Sequence, residues 1–353
     1  MEYNFEQNNK HLDAYDLQLL QQLCEFNAPS GNESTLANFI ADKCREAGAD
    51  VSIDVLGNVI AHKPATFAEA IAQKIMLCAH MDEVGFIIKS IDNEGFLSFK
   101  CVGGIDNSIL PSKRVIVHGK NNMPINGVIT TIPKHMLKDG KKVTEKTLKI
   151  DIGAKDKSDA ESMVEKGDYA TFNSQFKIVN NRIKSKALDD RIGCFVLLKL
   201  LQNNYNKDIF FVWNVQEEVG CRGAKASSFT ICPNLALVLE GTTCADFPEV
   251  KDEDVSTVLG DGVALTFMDS GCINPRYLVN SLVEIARRNN IKTQFKRGVT
   301  GGNDSATIHT NVGGIPTAAL SVPCRNIHAP NSIAMLEDIT SMYNLTDKFL
   351  QEI

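Results

Sequence analysis

The 353-residue sequence lacks the features that would direct it to a membrane, to secretion or to nucleic acid. No apolar run approaches the ~20 residues that cross a bilayer, and the N-terminus MEYNFEQNNKHLDAYDLQLL has no basic-then-apolar signal pattern. Positive charge is not in excess, because the formal net charge is -6, which argues against nucleic acid or an anionic membrane as the main partner. The ten cysteines include no CxxC pair, which favours free thiols over disulfides or a cysteine zinc site. We therefore expect a cytoplasmic protein with no membrane and no nucleic-acid partner.

Helical and strand patterns alternate near both ends of the sequence. Apolar residues recur at helical spacing over 15–27 and 35–49, VSIDVLGNVIAHK indicates a hairpin, and KIMLCAH is typical of a strand buried on both faces. After about residue 180, the helices DDRIGCFVLLKLLQNN and NPRYLVNSLVEIARRNN alternate with the strands DIFFVWNVQ, NLALVLEG and IPTAALSVP. This alternation predicts an α/β fold with a mostly parallel sheet and helices on both faces.

From about Val84 to Phe172 the pattern changes to short β segments. They are GFIIKSID, GFLSFKCVG, RVIVHG, INGVITTI, LKIDIGA and DYATF, with one helical piece, KSDAESMVEK, before the last. Closely spaced strands with turn signals between them predict a small β-barrel. We therefore expect an α/β domain interrupted by an inserted barrel, with residues 1–83 as its first part, 84–178 as the barrel and 179–353 as its second part.

Chemically useful side chains follow the predicted strands at five junctions with loops. In chain order they are His80 with Asp82, the pair Asp189 and Asp190, the pair Glu217 and Glu218, Glu240, and His328. Each has an ordinary explanation by itself, such as helix capping for the aspartates, but no single explanation of that kind covers all five. Functional groups gather beyond the carboxyl ends of the strands in such sheets, so we expect these side chains to meet in one site.

Two histidines with several carboxylates form a ligand set that suits zinc, cobalt or manganese. One of the two aspartates could bridge two metals ~3.5 to 4 Å apart, in a hydrolytic site that generates hydroxide at neutral pH. Such a site also needs a general base, so one of Glu217 and Glu218 would bind metal and the other would move the proton. Asp82 lies two residues after His80, on the same side of an extended segment, and could orient its ring.

The segments around these residues resemble the M42 family of co-catalytic metallo-aminopeptidases, some of which are labelled glutamyl aminopeptidase. The segments are HMDEVGF, the GVI segment followed by IPKH, LKIDIGA, KALDDRIG, QEEVGCRGA, GGNDSA and VPCRNIHAP, in order along nearly the whole chain. The resemblance implies that His80 and Glu240 hold one metal, with Asp189 as the bridge. It implies that Glu218 and His328 hold the other metal. Much of the family has aspartate where this chain has Glu240.

The resemblance also implies a reaction and an assembly. Glu217 would take a proton from a water held between the metals, and the resulting hydroxide would attack the first peptide carbonyl. Glu217 would then give the proton to the leaving amine, while Asp82 orients His80. The expected partners are peptide substrates and other copies of the chain. The barrel corresponds to the family's dimerisation domain, and we expect dimers that build a dodecamer.

Two other functions fit the same residues. One is an amidohydrolase or deacylase that acts on small non-peptide amides, and the other is a catalytically silent assembly protein, against which the intact set of junctions argues. We assign no catalytic role to four other histidines, His62, His118, His135 and His309. We expect Arg191 to pair with nearby carboxylates. The GGND segment at 301–304 lacks the Lys-Ser/Thr of a phosphate-binding loop, so we expect it to line the substrate site.

Overall fold

A computed structural model describes residues 12–66, 73–133 and 143–353 of the chain. Its helices are α1 (Ala14–Glu25), α2 (Ser34–Glu46), α3 (Lys157–Met163), α4 (Leu188–Leu200), α5 (Arg222–Ile231), α6 (Arg276–Arg288), α7 (Ser305–Ile308) and α8 (Leu336–Glu352). Its strands are β1 (Asp50–Ile53), β2 (Val59–Lys63), β3 (Lys74–His80), β4 (Gly85–Ile91), β5 (Leu97–Val102), β6 (Arg114–His118), β7 (Pro124–Thr131), β8 (Leu148–Asp151), β9 (Tyr169–Phe172), β10 (Lys177–Val179), β11 (Arg182–Ser185), β12 (Asp208–Asn214), β13 (Leu235–Thr243), β14 (Val263–Leu265), β15 (Thr293–Phe295), β16 (Thr317–Cys324) and β17 (Ser332–Met335). No helix within the three described ranges could span a bilayer.

The largest sheet is built around four parallel strands. Among the described residues, eight strands pair in the order β1-β2-β12-β3-β13-β16-β14-β15. The central run β12-β3-β13-β16 is parallel, whereas β2 pairs antiparallel with β12, and β14 with β16. The apolar run KIMLCAH forms β3, whose last six residues are buried, as a strand covered on both faces requires. The α/β fold with a mostly parallel sheet is confirmed.

Each face of this sheet has its own layer of helices. Successive side chains of a strand point to opposite faces, so every strand contributes to both layers. One face packs against α1, α2, α4, α6 and α8 through residues such as Leu77 of β3 and Leu237 of β13. The other face packs against α5 and α7 through residues such as Cys78 of β3 and Val238 of β13. Helices therefore cover both faces, as the sequence predicts.

Strands β4 to β9 close into a separate barrel in the order β4-β5-β8-β7-β6-β9. Its interior is a second apolar core, in which the ring of Phe86 makes edge contacts with Phe99 and Phe172. All six short β segments of the sequence form its strands, and KSDAESMVEK supplies α3. The inserted barrel is confirmed, and the domain boundaries at 83/84 and 178/179 stay predictions.

The second half of the chain differs from the sequence-based expectation in two respects. Strand β13 does not end at Glu240 but continues to Thr243, because β16 pairs with it as far as the partners Thr243 and Cys324. The sequence patterns do not predict the helices α5 and α8 or the strands β14 and β15. The two strands have three residues each and are too short to show a period. The short strands β10, β11 and β17 form a small antiparallel sheet of their own.

Candidate metal centre and active site

Strand alternation brings His80 and Glu240 to the same face of the sheet. Cys78 and Val238 pack on the α5 side, and His80 and Glu240 lie two residues further along the same strands. Strands β3 and β13 pair only as far as Val238 and Cys78, after which β13 continues beside β16 alone. His80 and Glu240 therefore lie just beyond the point where β3 and β13 separate. Oε2 of Glu240 lies 3.6 Å from Nε2 of His80.

Asp189 and Asp190, in the first turn of α4, have different environments. Oδ1 of Asp189 lies 3.4 Å from Nε2 of His80, and Oδ2 lies 3.5 Å from Nε2 of His328. Both oxygens of Asp190 instead accept backbone hydrogen bonds, from the N–H groups of His80 and Gly193. Asp189 thus faces both histidines, whereas Asp190 fixes the backbone beneath them.

The adjacent glutamates after β12 also face different histidines. Oε2 of Glu218 lies 3.3 Å from Nε2 of His328, and Oε2 of Glu217 lies 3.9 Å from Nε2 of His80. Their backbone N–H groups donate to the two oxygens of one carboxylate, that of Asp82, at 3.0 and 3.2 Å. This anchoring turns the chain so that both side chains enter the same cleft.

Asp82 is buried beneath the site and touches the far side of the His80 ring. Nδ1 of His80 lies 3.2 Å from the Asp82 backbone oxygen and 3.4 Å from its carboxylate. The Ser30 hydroxyl donates to the same carboxylate at 2.6 Å. Although burial acts to raise it, the hydrogen bonds from His80 and Ser30 lower the pKa of Asp82, so this group stays ionised. Ser30 lies between α1 and α2, and no sequence pattern described above indicates this contact.

His328 reaches the site from the loop after β16 and contacts the inserted barrel. Its backbone has a φ of 57°, and its Nδ1 lies 2.9 Å from the backbone oxygen of Gly104, which follows β5. The barrel therefore supplies a contact that orients one of the two histidines. No sequence pattern relates Gly104 to this site.

The charges of this cluster are unbalanced without a cation. Oε1 of Glu218 and Oε1 of Glu240 are buried and have no hydrogen-bond partner. Burial raises the pKa of Glu218 to about 7 and that of Glu240 well above its usual value. Burial acts to lower the pKa values of the histidines, but the surrounding carboxylates raise that of His328 to about 9 and that of His80 well above normal. Buried carboxylate oxygens without partners, facing two imidazoles, are what divalent cations would satisfy, so these residues fit a metal centre.

A buried ion-pair network supports the start of α4, which carries Asp189. Nζ of Lys186 lies 2.6 Å from Oε1 of Glu83, and the guanidinium of Arg191 lies 3.5 Å from the same oxygen. The expected pairing of Arg191 with a nearby carboxylate is confirmed. Residues on either side of Asp189 are thereby tied to the segment that follows His80.

The other histidines singled out in the sequence lie away from this cluster. Nε2 of His62 lies 3.0 Å from Asp208, and Nδ1 of His309 lies 2.7 Å from the backbone oxygen of Ser305. His118 ends β6 of the barrel, where burial lowers its pKa. His135 lies outside the described residues.

Comparison with known proteins gives the same family by sequence and by structure. The chain matches the family model described as M42 glutamyl aminopeptidase over residues 57–345. A putative aminopeptidase of Acetivibrio thermocellus is 35% identical over 336 residues, which cover 94% of this chain and 97% of the relative. An aminopeptidase from the archaeon Desulfurococcus kamchatkensis has a similar structure, with a TM-score of 0.91 at 33% identity over 96% of this chain and 95% of that chain. A TET peptidase of Pyrococcus horikoshii, which can assemble into a tetrahedron or a large octahedral shell, has a TM-score of 0.83 at 30% identity over 96% of this chain and 100% of that chain.

These matches cover nearly the whole chain, including both the sheet and the barrel. The family is metal-dependent, in agreement with the histidine and carboxylate cluster described above. The chain belongs to the M42 aminopeptidase family and is a hydrolase that acts on the N-terminal residues of peptides.

Proposed function

We propose that this aminopeptidase works with two divalent metal ions, zinc, cobalt or manganese, and with Glu217 as its general base. The observation that carries the proposal is the position of Asp189 between His80 and His328, with one carboxylate oxygen 3.4 Å and the other 3.5 Å from an imidazole nitrogen. A carboxylate with one oxygen toward each histidine is suited to bridge two cations. Asp190 is not suited, because both of its oxygens hold backbone N–H groups.

Each end of the Asp189 bridge has its own ligands. His80 and Glu240 would hold one cation, and Glu218 and His328 would hold the other. The oxygen-to-nitrogen distances of 3.6 Å in the first pair and 3.3 Å in the second support this division. When bound, the two ions supply Lewis acidity, which polarises a carbonyl and lowers the pKa of water.

Glu217 is the carboxylate left to move a proton. Its Oε2 is farther from His80 than the oxygens of Asp189 and Glu240 are, at 3.9 Å against 3.4 and 3.6 Å. Glu217 would take a proton from the attacking water and give it to the amine of the departing peptide, a role worth ~10² to 10⁴-fold in rate. Asp82 would keep the Nδ1 side of His80 in place, so that Nε2 faces the cleft.

The inserted barrel, which we assign to residues 84–178, would be the surface for self-association. It exposes apolar side chains on and beside β7, where Met123, Val128 and Ile132 are 63%, 43% and 46% exposed. Exposed apolar clusters on soluble proteins often mark interfaces. The tetrahedral and octahedral assemblies of the Pyrococcus horikoshii relative also support self-association, and we propose dimers formed through the barrel that build a dodecamer.

The proposal predicts that activity depends on added metal. Protein stripped by a chelator should lose cleavage of aminoacyl-anilides, and zinc, cobalt or manganese should restore it. N-acyl amino acids should not be hydrolysed, because the substrate needs a free amine. Elemental analysis should accompany each assay. Full activity in protein that contains no metal would overturn the metal mechanism, and a preference for acyl substrates would favour the amidohydrolase or deacylase.

A further inference from the structure

Glu217 contacts a second group of side chains through Oε1, the carboxylate oxygen that does not face His80. Its Oε1 lies 3.4 Å from Sγ of Cys221, on the loop that leads into α5. Asp304, which is fully buried before α7, completes the group: potential ligand atoms of Glu217, Cys221 and Asp304 all lie within 4.8 Å of one another. None of the roles proposed above uses Cys221 or Asp304.

One carboxylate oxygen of Asp304 has a hydrogen-bond partner and the other has none. Oδ2 accepts a hydrogen bond from Nδ2 of Asn214 at 2.7 Å, and Ser227 in turn donates to Asn214 at 2.8 Å. Oδ1 is buried and has no hydrogen bond. The Cys221 thiol has one proton and can donate to only one carboxylate at a time, so it cannot satisfy both Asp304 and Glu217. A buried carboxylate oxygen left in this state is costly, and a cation would relieve it.

The three side chains together match a thiophilic cation. Zinc bonds to thiolate sulfur at about 2.3 Å and to carboxylate oxygen at about 2.0 to 2.2 Å, so ligand atoms this close can share one ion after small side-chain movements. A sulfur ligand selects zinc-like ions over magnesium or calcium. Burial and the two carboxylates raise the pKa of the Cys221 thiol, so it is not a reactive redox group in the absence of a cation.

We propose that Cys221, Glu217 and Asp304 form an additional, inhibitory site for one thiophilic divalent cation, Zn²⁺ or Cd²⁺. Binding forms a bond from the ion to Sγ of Cys221, releases the thiol proton to solvent, and takes Oε1 of Glu217 as a ligand. The inhibition rests on the proposed function, because it follows from Glu217 being the general base. Glu217 bound in this way cannot accept a proton from water, although the ligands of the two catalytic ions are untouched.

The test is a Cd²⁺ titration of the full chain loaded with its two activating metal ions. Three quantities are followed: the ultraviolet cadmium–thiolate absorption, both metals per chain by elemental analysis, and the rate on an aminoacyl-anilide. We expect one further Cd²⁺ per chain, a rise in the absorption, and a parallel loss of rate that reaches ~10² to 10⁴-fold at saturation, the contribution of a general base. The content of activating metal should not change.

Cys221→Ser is the test variant, because serine is nearly isosteric but is a poor ligand for a soft ion. It should lose the absorption and the further Cd²⁺, and it should remain active at Cd²⁺ concentrations that inhibit the parent. Cys232→Ser is the matched control: Cys232 is an exposed free thiol away from the cluster, so this variant should behave like the parent. Asp304→Asn should weaken Cd²⁺ binding without removing the thiol.

Three results would overturn the proposal: no cadmium–thiolate absorption in the parent, equal inhibition of Cys221→Ser and the parent, or a further Cd²⁺ that leaves the rate unchanged. A failure of the proposed function looks different. In that case the metal-loaded protein shows no hydrolysis before Cd²⁺ is added, while the absorption and the stoichiometry still decide whether the site exists.

Discussion

Glu217 and Glu218 are neighbours whose backbone N–H groups are bound by the same carboxylate, that of Asp82. Their side chains nevertheless diverge, because Glu218 approaches His328 and Glu217 approaches His80 from a greater distance. At the scale of the single residue, the site therefore separates two chemically identical groups by position alone. This separation is the basis for assigning one to metal binding and the other to proton transfer.

The two glutamates can be distinguished by replacing each with glutamine. Glu217→Gln keeps size and hydrogen bonding but removes the proton acceptor, so we expect normal metal content, a nearly unchanged KM, and a kcat lower by ~10² to 10⁴-fold. Glu218→Gln should weaken one metal site, and excess metal should partly restore its activity. The measurement is metal stoichiometry beside kcat for both variants.

The reverse pattern would exchange the two roles: Glu217→Gln without metal, and Glu218→Gln with full metal but no turnover. If neither change alters the rate or the metal content, the active site lies elsewhere in the chain.

At the scale of the element, the loop after β16 must hold His328 against the barrel. Arg325, at the start of this loop, binds Asp246 through Nε at 2.5 Å and through Nη2 at 2.7 Å. The backbones of Arg325 and Ile333 exchange two hydrogen bonds, which close the loop between them. The ion pair therefore ties the loop that carries His328 to the segment that follows β13.

Asp246→Asn should lower both the stability of the protein and the activity that depends on His328. Burial acts to raise the pKa of Asp246, but the hydrogen bonds from Arg325 and Cys244 lower it to about 2. Because the folded-state pKa is lowered, the stabilisation is fully present above the unfolded value and is lost as the pH falls toward 2. Arg325 is partly exposed, so we expect a loss of only ~1 kcal/mol in the free energy of unfolding at pH 7.

Urea unfolding of the parent and of Asp246→Asn between pH 7 and pH 3 checks this prediction. The difference between them should be constant down to about pH 4 and shrink below it, in the range set by the reference pKa of aspartate. Glu249→Gln, which removes an exposed acid of the same segment, should match the parent throughout. A difference that does not change with pH would show that Asp246 acts through packing rather than through its charge.

At the scale of the whole molecule, the barrel has a core of its own, and contacts such as that of Gly104 with His328 connect it to the histidine and carboxylate cluster. Its exposed apolar residues on and beside β7 are the surface proposed for self-association. We expect light scattering at micromolar concentration to show an assembly larger than the monomer, with the dimer as its unit.

Val128→Asp should disrupt this assembly, because a charge in an apolar interface is costly to desolvate. Val179→Asp is the control: Val179 is 60% exposed in β10, outside the closed barrel, so its replacement should leave the assembly intact. Circular dichroism should show that both variants are folded. A parent protein that scatters as a monomer, or two variants that dissociate alike, would contradict an interface at β7.

Much of the fold and the types of residue in the site could be predicted from the sequence. KIMLCAH, NLALVLEG and IPTAALSVP are apolar runs whose burial on two faces follows from their composition, and they form β3, β13 and β16. The six short segments of the barrel form strands because turn residues separate them. The alternation of helices with the apolar strands of the large sheet also predicts that His80, Glu217 and His328 meet beyond the strand ends, because parallel strands end at one edge of a sheet.

Other features depend on contacts between residues that are distant in the chain. Gly104 and His328 are 224 residues apart, and Asn214 and Asp304 are 90 apart. Local periodicity reports which face of an element is buried, but it carries no information about which side chain of another element lies opposite. The contact of Ser30 with Asp82 could not be predicted from the sequence for this reason, and neither could that of Cys221 with Glu217.

The pair Asp189 and Asp190 shows both what the sequence determines and what depends on contacts between distant residues. The sequence by itself determined that a carboxylate stands at the start of α4, facing the strand ends, because the aspartates precede an apolar helix. The residues by themselves leave either aspartate possible and the family resemblance implies Asp189, but only the tertiary structure shows which of the two faces both histidines. The backbone N–H groups of His80 and Gly193 occupy the oxygens of Asp190, and the oxygens of Asp189 are directed toward the imidazoles of His80 and His328. Two identical side chains acquire different roles because backbone N–H groups occupy both oxygens of Asp190, whereas Asp189 accepts one such bond, from Gly241 to Oδ1, and its Oδ2 lies toward His328.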